Sequence, residues 1–172
     1  KATTFILKKL KMQDTESGYL FAMNQIAAEL KDIINRHMAA LQAIPEDRFS
    51  HKPSASKWSK KELIGHLVDS AQSNIRRFII AQYEDNPTIN YNQEKWVTIS
   101  GYQQWESISL IRLWYLLNFQ LCEILNRISP EIAQRTCMTQ ELHTIEWLAQ
   151  DYVKHLLHHL HQVLELESVS YP

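Results

Sequence analysis

Apolar side chains recur at three- and four-residue intervals along most of this chain, the period of a helix with one face turned inward. Between Gly18 and Ala43 they fall at Leu20, Met23, Ala27, Leu30, Ile34, Met38 and Leu41, and Pro45 closes the segment. Residues 1–16 are mixed in pattern and read either as a loose end or as an extension of this first helix. Phe49 to Ser59 is a loop rich in Ser, Lys and Pro. There Ser59 followed by Glu62 is a capping-box signature, opening a second helix from about Lys60 to Tyr83 that carries Leu63, Leu67, Ala71, Ile75 and Phe78. Asp85 to Ser100, with Asn-Pro, further Asn and then Gly101, reads as a long connection. A third helix spans about Gln103 to Ile128 and stops at Pro130. The fourth starts near Thr139 or Leu142 and runs to about Glu167. No strand and no internal repeat is expected.

Neighbouring antiparallel helices need only about 2–8 connecting residues. A connection as long as Asp85–Ser100 marks a bundle with a crossover between its second and third helices. The expected fold is therefore all-α, a four-helix bundle forming a single domain over residues 1–172. Composition agrees, since only 3 Gly and 5 Pro leave little to spend on turns.

Charge narrows the partners. With 18 Lys+Arg against 19 Asp+Glu the chain lacks the basic excess on which phosphate binding depends, and Lys8, Lys9 and Lys11 read as a solvated end rather than a nucleic-acid patch. Cys122 and Cys137 are too few for a disulfide framework and form no C-x-x-C pair. Both sit among apolar residues and read as packing groups in a reduced compartment. No apolar run is read as approaching the roughly 18–20 residues needed to span a bilayer, and Phe5-Ile6-Leu7 is too short for a signal-peptide core. A cytoplasmic protein without membrane contact is expected. The chain starts on Lys rather than Met, so its start reads as trimmed or truncated.

Chemistry enters with the histidines: 8 in all, of which His155, His158, His159 and His161 crowd one segment. Residues four apart are neighbours on a helix face, so His155 and His159 can reach one metal ion. On a helical wheel this pair lies with Leu148, Tyr152 and Leu166 at a margin of the apolar face. His158 falls among Asp151, Lys154, Gln162 and Glu165, and His161 lies further round; both read as solvated. Three protein ligands with an open position is the pattern of a catalytic metal, and His66 in the second helix is the best source of the third. On the wheel, however, His66 sits with Ser70, Ser73 and Arg77, where an exposed helix histidine is the plainer reading. His37, His51 and His143 have no comparable context. H-E-x-x-H, Glu-x-x-His pairs, Gly-rich phosphate loops and G-x-S-x-G are all absent.

The stretch Trp58-Ser59-Lys60-Lys61-Glu62-Leu63-Ile64-Gly65-His66-Leu67-Val68-Asp69-Ser70 resembles the entry to the second helix of the DinB/YfiT-like superfamily. Pro87-Thr88-Ile89, Tyr91, Glu94 and Trp96-Val97 resemble that family's linker. His155, His159-Leu160 and Gln162-Val163 resemble its final-helix signature. The three segments come in family order. The resemblance implies an up-up-down-down bundle and one divalent ion, nickel or zinc, held by His66, His155 and His159. It also implies a homodimer. The linker's usual acidic position is Gln93 here, which leaves Glu94 as the nearest candidate for a catalytic carboxylate.

Members of that superfamily with assigned activity include bacillithiol-dependent S-transferases and mycothiol-dependent isomerases. Three neutral imidazoles leave a divalent ion its full charge, able to lower the pKa of a thiol or water. The first functional expectation is a metal-dependent transferase joining a bacillithiol-like low-molecular-weight thiol to an electrophilic small-molecule substrate. A metal-dependent hydrolase and a non-catalytic metal-binding stress-response module are the alternatives. Arg77, Tyr91 and Trp96 are candidates for the cleft walls. Asp69, one turn beyond His66, is either a partner for a ligand's second nitrogen or a surface carboxylate.

Overall fold

A computed structural model describes the backbone of residues 2–171 and the side chains from residue 22 onward. Four long helices carry the fold: α1 Ala2–Gln42, α3 Lys60–Ile80, α5 Ser107–Leu125 and α7 Ile145–Leu164. Between them lie three short ones, α2 Glu46–Ser50, α4 Gln93–Ser100 and α6 Pro130–Ala133, and the antiparallel strands β1 Thr136–Met138 and β2 Leu142–Thr144. Of the two readings for residues 1–16, the helical extension holds from Ala2 onward.

The capping box forms as its spacing predicts. Ser59 accepts from the Glu62 backbone N–H, and the Glu62 carboxylate accepts from the Ser59 N–H, satisfying two of the donors a helix start leaves open. Buried residues of α1, Met23, Ile26, Ala27, Leu30, Ile34 and Leu41, keep the helical period and meet Leu110, Trp114, Leu121 and Leu125 of α5 in one core. Trp114, Tyr152, Phe49 and Phe78 are its largest fully buried side chains.

Contacts fix the helix directions. Lys61, at the start of α3, donates to Glu46 in α2 and to the Trp105 carbonyl just before α5, the latter at 3.1 Å. Arg135, beyond the far end of α5, donates to the Ala81 carbonyl at the far end of α3, so α3 and α5 run parallel. Tyr115 reaches Asn35 and Lys31 lies over the Phe119 ring, so α1 runs against α5. Lys60 donates to the Val163 carbonyl, so α7 runs against α3. The order is up, down, down, up, which corrects the expected up-up-down-down arrangement. A single long crossover makes one consecutive pair parallel, whereas up-up-down-down needs two.

That crossover lies where expected, between α3 and α5, but it is not irregular throughout. Pro87 and Ile89 exchange backbone hydrogen bonds with Met138 of the hairpin, Ile89 N–H to Met138 O at 3.0 Å and Met138 N–H to Pro87 O at 2.9 Å. Asn92 caps α4, and Gly101, at φ 61°, ends it in the left-handed region that costs glycine least. A 3₁₀ turn at Tyr102–Gln104 follows, so α5 begins at Ser107 rather than Gln103. The strands were not anticipated; Thr136-Cys-Met and Leu142-His-Thr are too short to show a period. They also delay α7 to Ile145, where Thr144 caps it. By length and composition α5 could cross a bilayer, which corrects the reading that no apolar run approaches that length. Here it packs as a core helix through Leu110, Ile111, Trp114, Leu121, Cys122 and Leu125.

Candidate metal centre

His66 comes from α3, His155 and His159 from successive turns of α7. The antiparallel packing of those two helices brings them together although 89 positions separate His66 from His155. A ring nitrogen of each lies within 4.8 Å of the others, and Nε2 of His66 and Nε2 of His155 are 3.1 Å apart. His66 is 1% exposed, with the Trp58 ring over it at 5.1 Å. The exposed position that the wheel gives His66 is thus corrected. The polar residues of α3 beside His66, namely Asp69, Ser70, Ser73 and Asn74, are buried, while Gln72 and Arg76 are exposed.

Burial governs protonation. It lowers the pKa of His66 to about 3, with a smaller push from His159, and that of His155 to about 2, helped by His159, His66 and His158. His159 is also lowered by burial, against the opposing pull of its bond to Gln162. The rings are therefore neutral near pH 7, the form that coordinates metal. Nδ1 of His159 lies 2.7 Å from Oε1 of Gln162. An amide oxygen only accepts, so this bond protonates Nδ1 and frees Nε2.

His155 and His159 line a cavity of about 890 Å³; His66 packs against both rings at 5.0 Å without lining it. Ser70, Asn74, Arg77 and Tyr91 form one wall; His143, Trp147, Asp151 and Tyr171 belong to another. Of the residues proposed for the walls, Arg77 and Tyr91 reach the cavity, while Trp96 stands behind Tyr91 at 5.0 Å. Glu94 lines the rim from α4 and is exposed. His143, without context in the sequence, stacks on Trp147 at 3.6 Å and 9°.

His158 and His161 are half-buried rather than solvated. The segment after α7 folds back so that the Val169 carbonyl takes His158 Nδ1 at 2.7 Å and the Glu167 carbonyl takes His161 Nδ1 at 2.6 Å. Leu166 falls beyond the end of α7, which Glu165 terminates at φ 57°, so it is not part of the wheel line on which it was placed. His37 is buried and bonds the Ile33 carbonyl; His51 is exposed.

Asp69 is 1% exposed, not a surface carboxylate. It accepts from the Tyr102 hydroxyl, and burial raises its pKa to about 6 against that bond. Among the described residues, the buried His66 Nδ1 and Asp69 Oδ2, one turn apart on α3, have no hydrogen-bond partner. Cys122 packs within α5 as expected, but Cys137 lies on β1 and its thiol donates to the Pro87 carbonyl at 3.2 Å. Both thiols are free, and burial raises both pKa values, Cys122 to about 11.

Three neutral imidazoles with converging nitrogens, one buried and two half-buried, one of them with its tautomer set, suit a divalent ion of borderline softness. Fold and site together define a helical bundle with a three-histidine candidate metal centre at the end of a polar cavity. The profile of the DinB superfamily matches residues 29–163, and the chain belongs to that superfamily. A protein of Bacillus mycoides named "Putative metal-dependent hydrolase" is 28% identical over 86 residues, 49% of this chain and 50% of its own length. Proteins of the same name from Bacillus cereus and Bacillus anthracis match to the same extent. The match thus spans about half the length of these curated relatives. In structure the chain resembles YfiT from Bacillus subtilis with a TM-score of 0.67 at 19% identity, covering 87% of this chain and 84% of that one. YfiT is described as a probable metal-dependent hydrolase with an unusual four-helix bundle topology.

Proposed function

We propose that this chain is a metal-dependent enzyme in which His66, His155 and His159 hold one divalent ion, nickel or zinc, and a small-molecule substrate enters through the adjoining cavity. The observation that carries the reading is the convergence of three neutral imidazoles from two helices beside a cavity of about 890 Å³. An ion bound there would act as a Lewis acid, lowering the pKa of a water or thiol at neutral pH. His66 anchors the site from behind, Gln162 orients His159, and Trp58 shields the rear of His66 from water. Glu94 is proposed as the rim carboxylate that carries a proton in or out.

Hydrolysis is the reading favoured by the names of the relatives. Transfer of a low-molecular-weight thiol to an electrophile is the second reading, with one observation in its favour. Neither cysteine lines the cavity, and both thiols are held protonated by burial, so any sulfur nucleophile would arrive with a cosubstrate. The test assays metal-loaded and metal-stripped protein on activated esters and, with added thiols, on a chlorobimane dye. Turnover lost on stripping and in His159→Ala but kept in Cys122→Ala supports the centre; which assay responds separates hydrolysis from transfer. Turnover that survives stripping overturns it.

The proposal includes one folded domain and a cytoplasmic setting, in keeping with two free cysteines. It also includes a homodimer, for which Leu116 and Phe119, exposed on α5, offer apolar contact area. Light scattering that returns a 20.2 kDa particle would reject the dimer.

A further inference from the structure

We propose that Arg77 is an anion subsite of the cavity, taking the carboxylate of a small organic substrate whose reactive group lies at the histidine end. The proposal rests on the reading of that cavity as a substrate chamber. Its starting point is an imbalance. Lys61, 2% exposed, pairs with Glu46. Half-buried Lys60 pairs with Glu165, and half-buried Arg135 with Asp85. Arg77 is half-buried too, yet among the described residues no carboxylate lies within ion-pair distance of it.

Its hydrogen bonds go to neutral acceptors. Nε and Nη2 donate to the Ile89 carbonyl at 3.2 and 3.1 Å, and Nη1 donates to Asn74 Oδ1 at 3.3 Å. A guanidinium carries five N–H donors, so two remain uncommitted on a side chain that lines the cavity. Burial lowers the pKa of Arg77, and the group is charged nonetheless. Asp151 shares the cavity and favours the charge of Arg77 from a distance, but it is not in ion-pair contact; its two oxygens share the Tyr171 hydroxyl proton at 3.1 Å. Glu94 and Glu141 stand exposed at the rim. A partly desolvated cation with no carboxylate in contact is costly to keep, and an entering anion would relieve that cost.

One guanidinium with two free donors matches a planar carboxylate better than a phosphate, which carries more charge and more acceptors. Position adds a constraint on the substrate. Arg77 follows His66 by eleven residues on the polar side of α3, about 16 Å along the axis. The carboxylate would therefore sit apart from the reacting bond. The flat His143–Trp147 stack on the facing wall offers a surface for the substrate's body.

Benzoate, with benzamide as its uncharged counterpart, probes the subsite in the full chain by ligand-observed NMR. The protein is stripped of metal so that the carboxylate has no ion to coordinate. Because Arg77 also holds the Ile89 carbonyl, Arg77→Gln is paired with Asn74→Asp, which keeps Arg77 and its grip on Ile89 but supplies an internal counter-charge. Benzoate is expected to bind millimolar or tighter, benzamide not, and both variants to weaken benzoate at least about tenfold, the loss of one charge-assisted pair. Equal binding of benzamide, no benzoate binding to the wild type, or unchanged affinity in Asn74→Asp overturns the subsite. Zinc uptake by separate aliquots of the same preparations, reloaded with zinc, keeps the two ideas apart. Zinc bound without benzoate sinks the subsite alone; benzoate bound through Arg77 without zinc uptake sinks the metal reading alone.

Discussion

The two helices that supply the histidines bury them by opposite means. α7 is amphipathic: Ile145, Leu148, Tyr152, Leu156, Leu160 and Val163 face the core, Lys154 and Gln162 face water, and His155 and His159 sit at the seam. On α3 the water-facing stripe, Gln72, Arg76 and Ile79, lies away from His66. The apolar side of that helix packs on the bundle, and the polar side that carries His66, with Asp69, Ser70, Ser73 and Asn74, is buried as well, under Trp58, Tyr91 and Tyr102. A helical wheel assumes one partner and one solvent. On α7 that assumption holds and identifies the candidate ligands; on α3 the crossover supplies a second partner, and the wheel points His66 outward.

The largest effect that would break this contrast is loss of metal. His66→Ala, on the covered helix, should empty the site as fully as His155→Ala or His159→Ala on the seam, whereas His158→Ala should retain the ion. Elemental analysis of the four variants decides; full metal content in His66→Ala would place that residue outside the site.

Gly65 probes the cover itself. A Cβ there would lie 2.1 Å from Cδ2 of the buried Tyr102 ring, the ring that holds Asp69. Gly65→Ala should therefore destabilise by about 3 kcal/mol or more, at the upper end for overpacking. Thermal unfolding followed by circular dichroism, with a midpoint near that of the wild type, would show the cover to be loose.

A smaller and graded effect comes from pH. In the unfolded chain His66 and His155 take up protons near the ordinary histidine value of 6.5. In the fold they stay neutral down to about 3 and about 2. The unfolded state then binds more protons, so metal-free protein should lose stability as pH falls below 6.5. The slope is up to about 1.4 kcal/mol per pH unit for each histidine. Asp69, raised from 3.8 to about 6, runs the other way across that interval and offsets about one histidine. Denaturant midpoints that do not move between about pH 7 and 5 would contradict the burial of the imidazoles. The smallest effect belongs to the wet side of α7, where Lys154→Ala should change stability by less than about 0.5 kcal/mol. A comparable tolerance of Ser73→Lys on α3 would erase the difference between the two helices.

What the sequence made legible follows the same division. Wherever one face of an element meets the core and the other meets water, spacing located it: the four long helices, the Ser59–Glu62 cap and the pair His155 and His159. What it hid depends on chain returning over a surface. The hairpin at Thr136–Thr144, the helix α4 inside the crossover and the tail that covers His158 and His161 are short, and their polar residues find partners far along the chain, as Arg135 does with Ala81 and Asp85. His66 entered the site through its resemblance to a family motif, because periodicity argued against it.

The separation between His66 and His155 also sets a schedule. At about 5–20 residues per second, a ribosome that has made His66 needs roughly 4–18 s to reach the helix that carries its partners. Through that interval α1 and α3 can form, but two of the three nitrogens do not yet exist. Capture of an ion at the proposed centre would thereby wait until the last long helix docks, since of its three candidate ligands a nascent chain carries only His66.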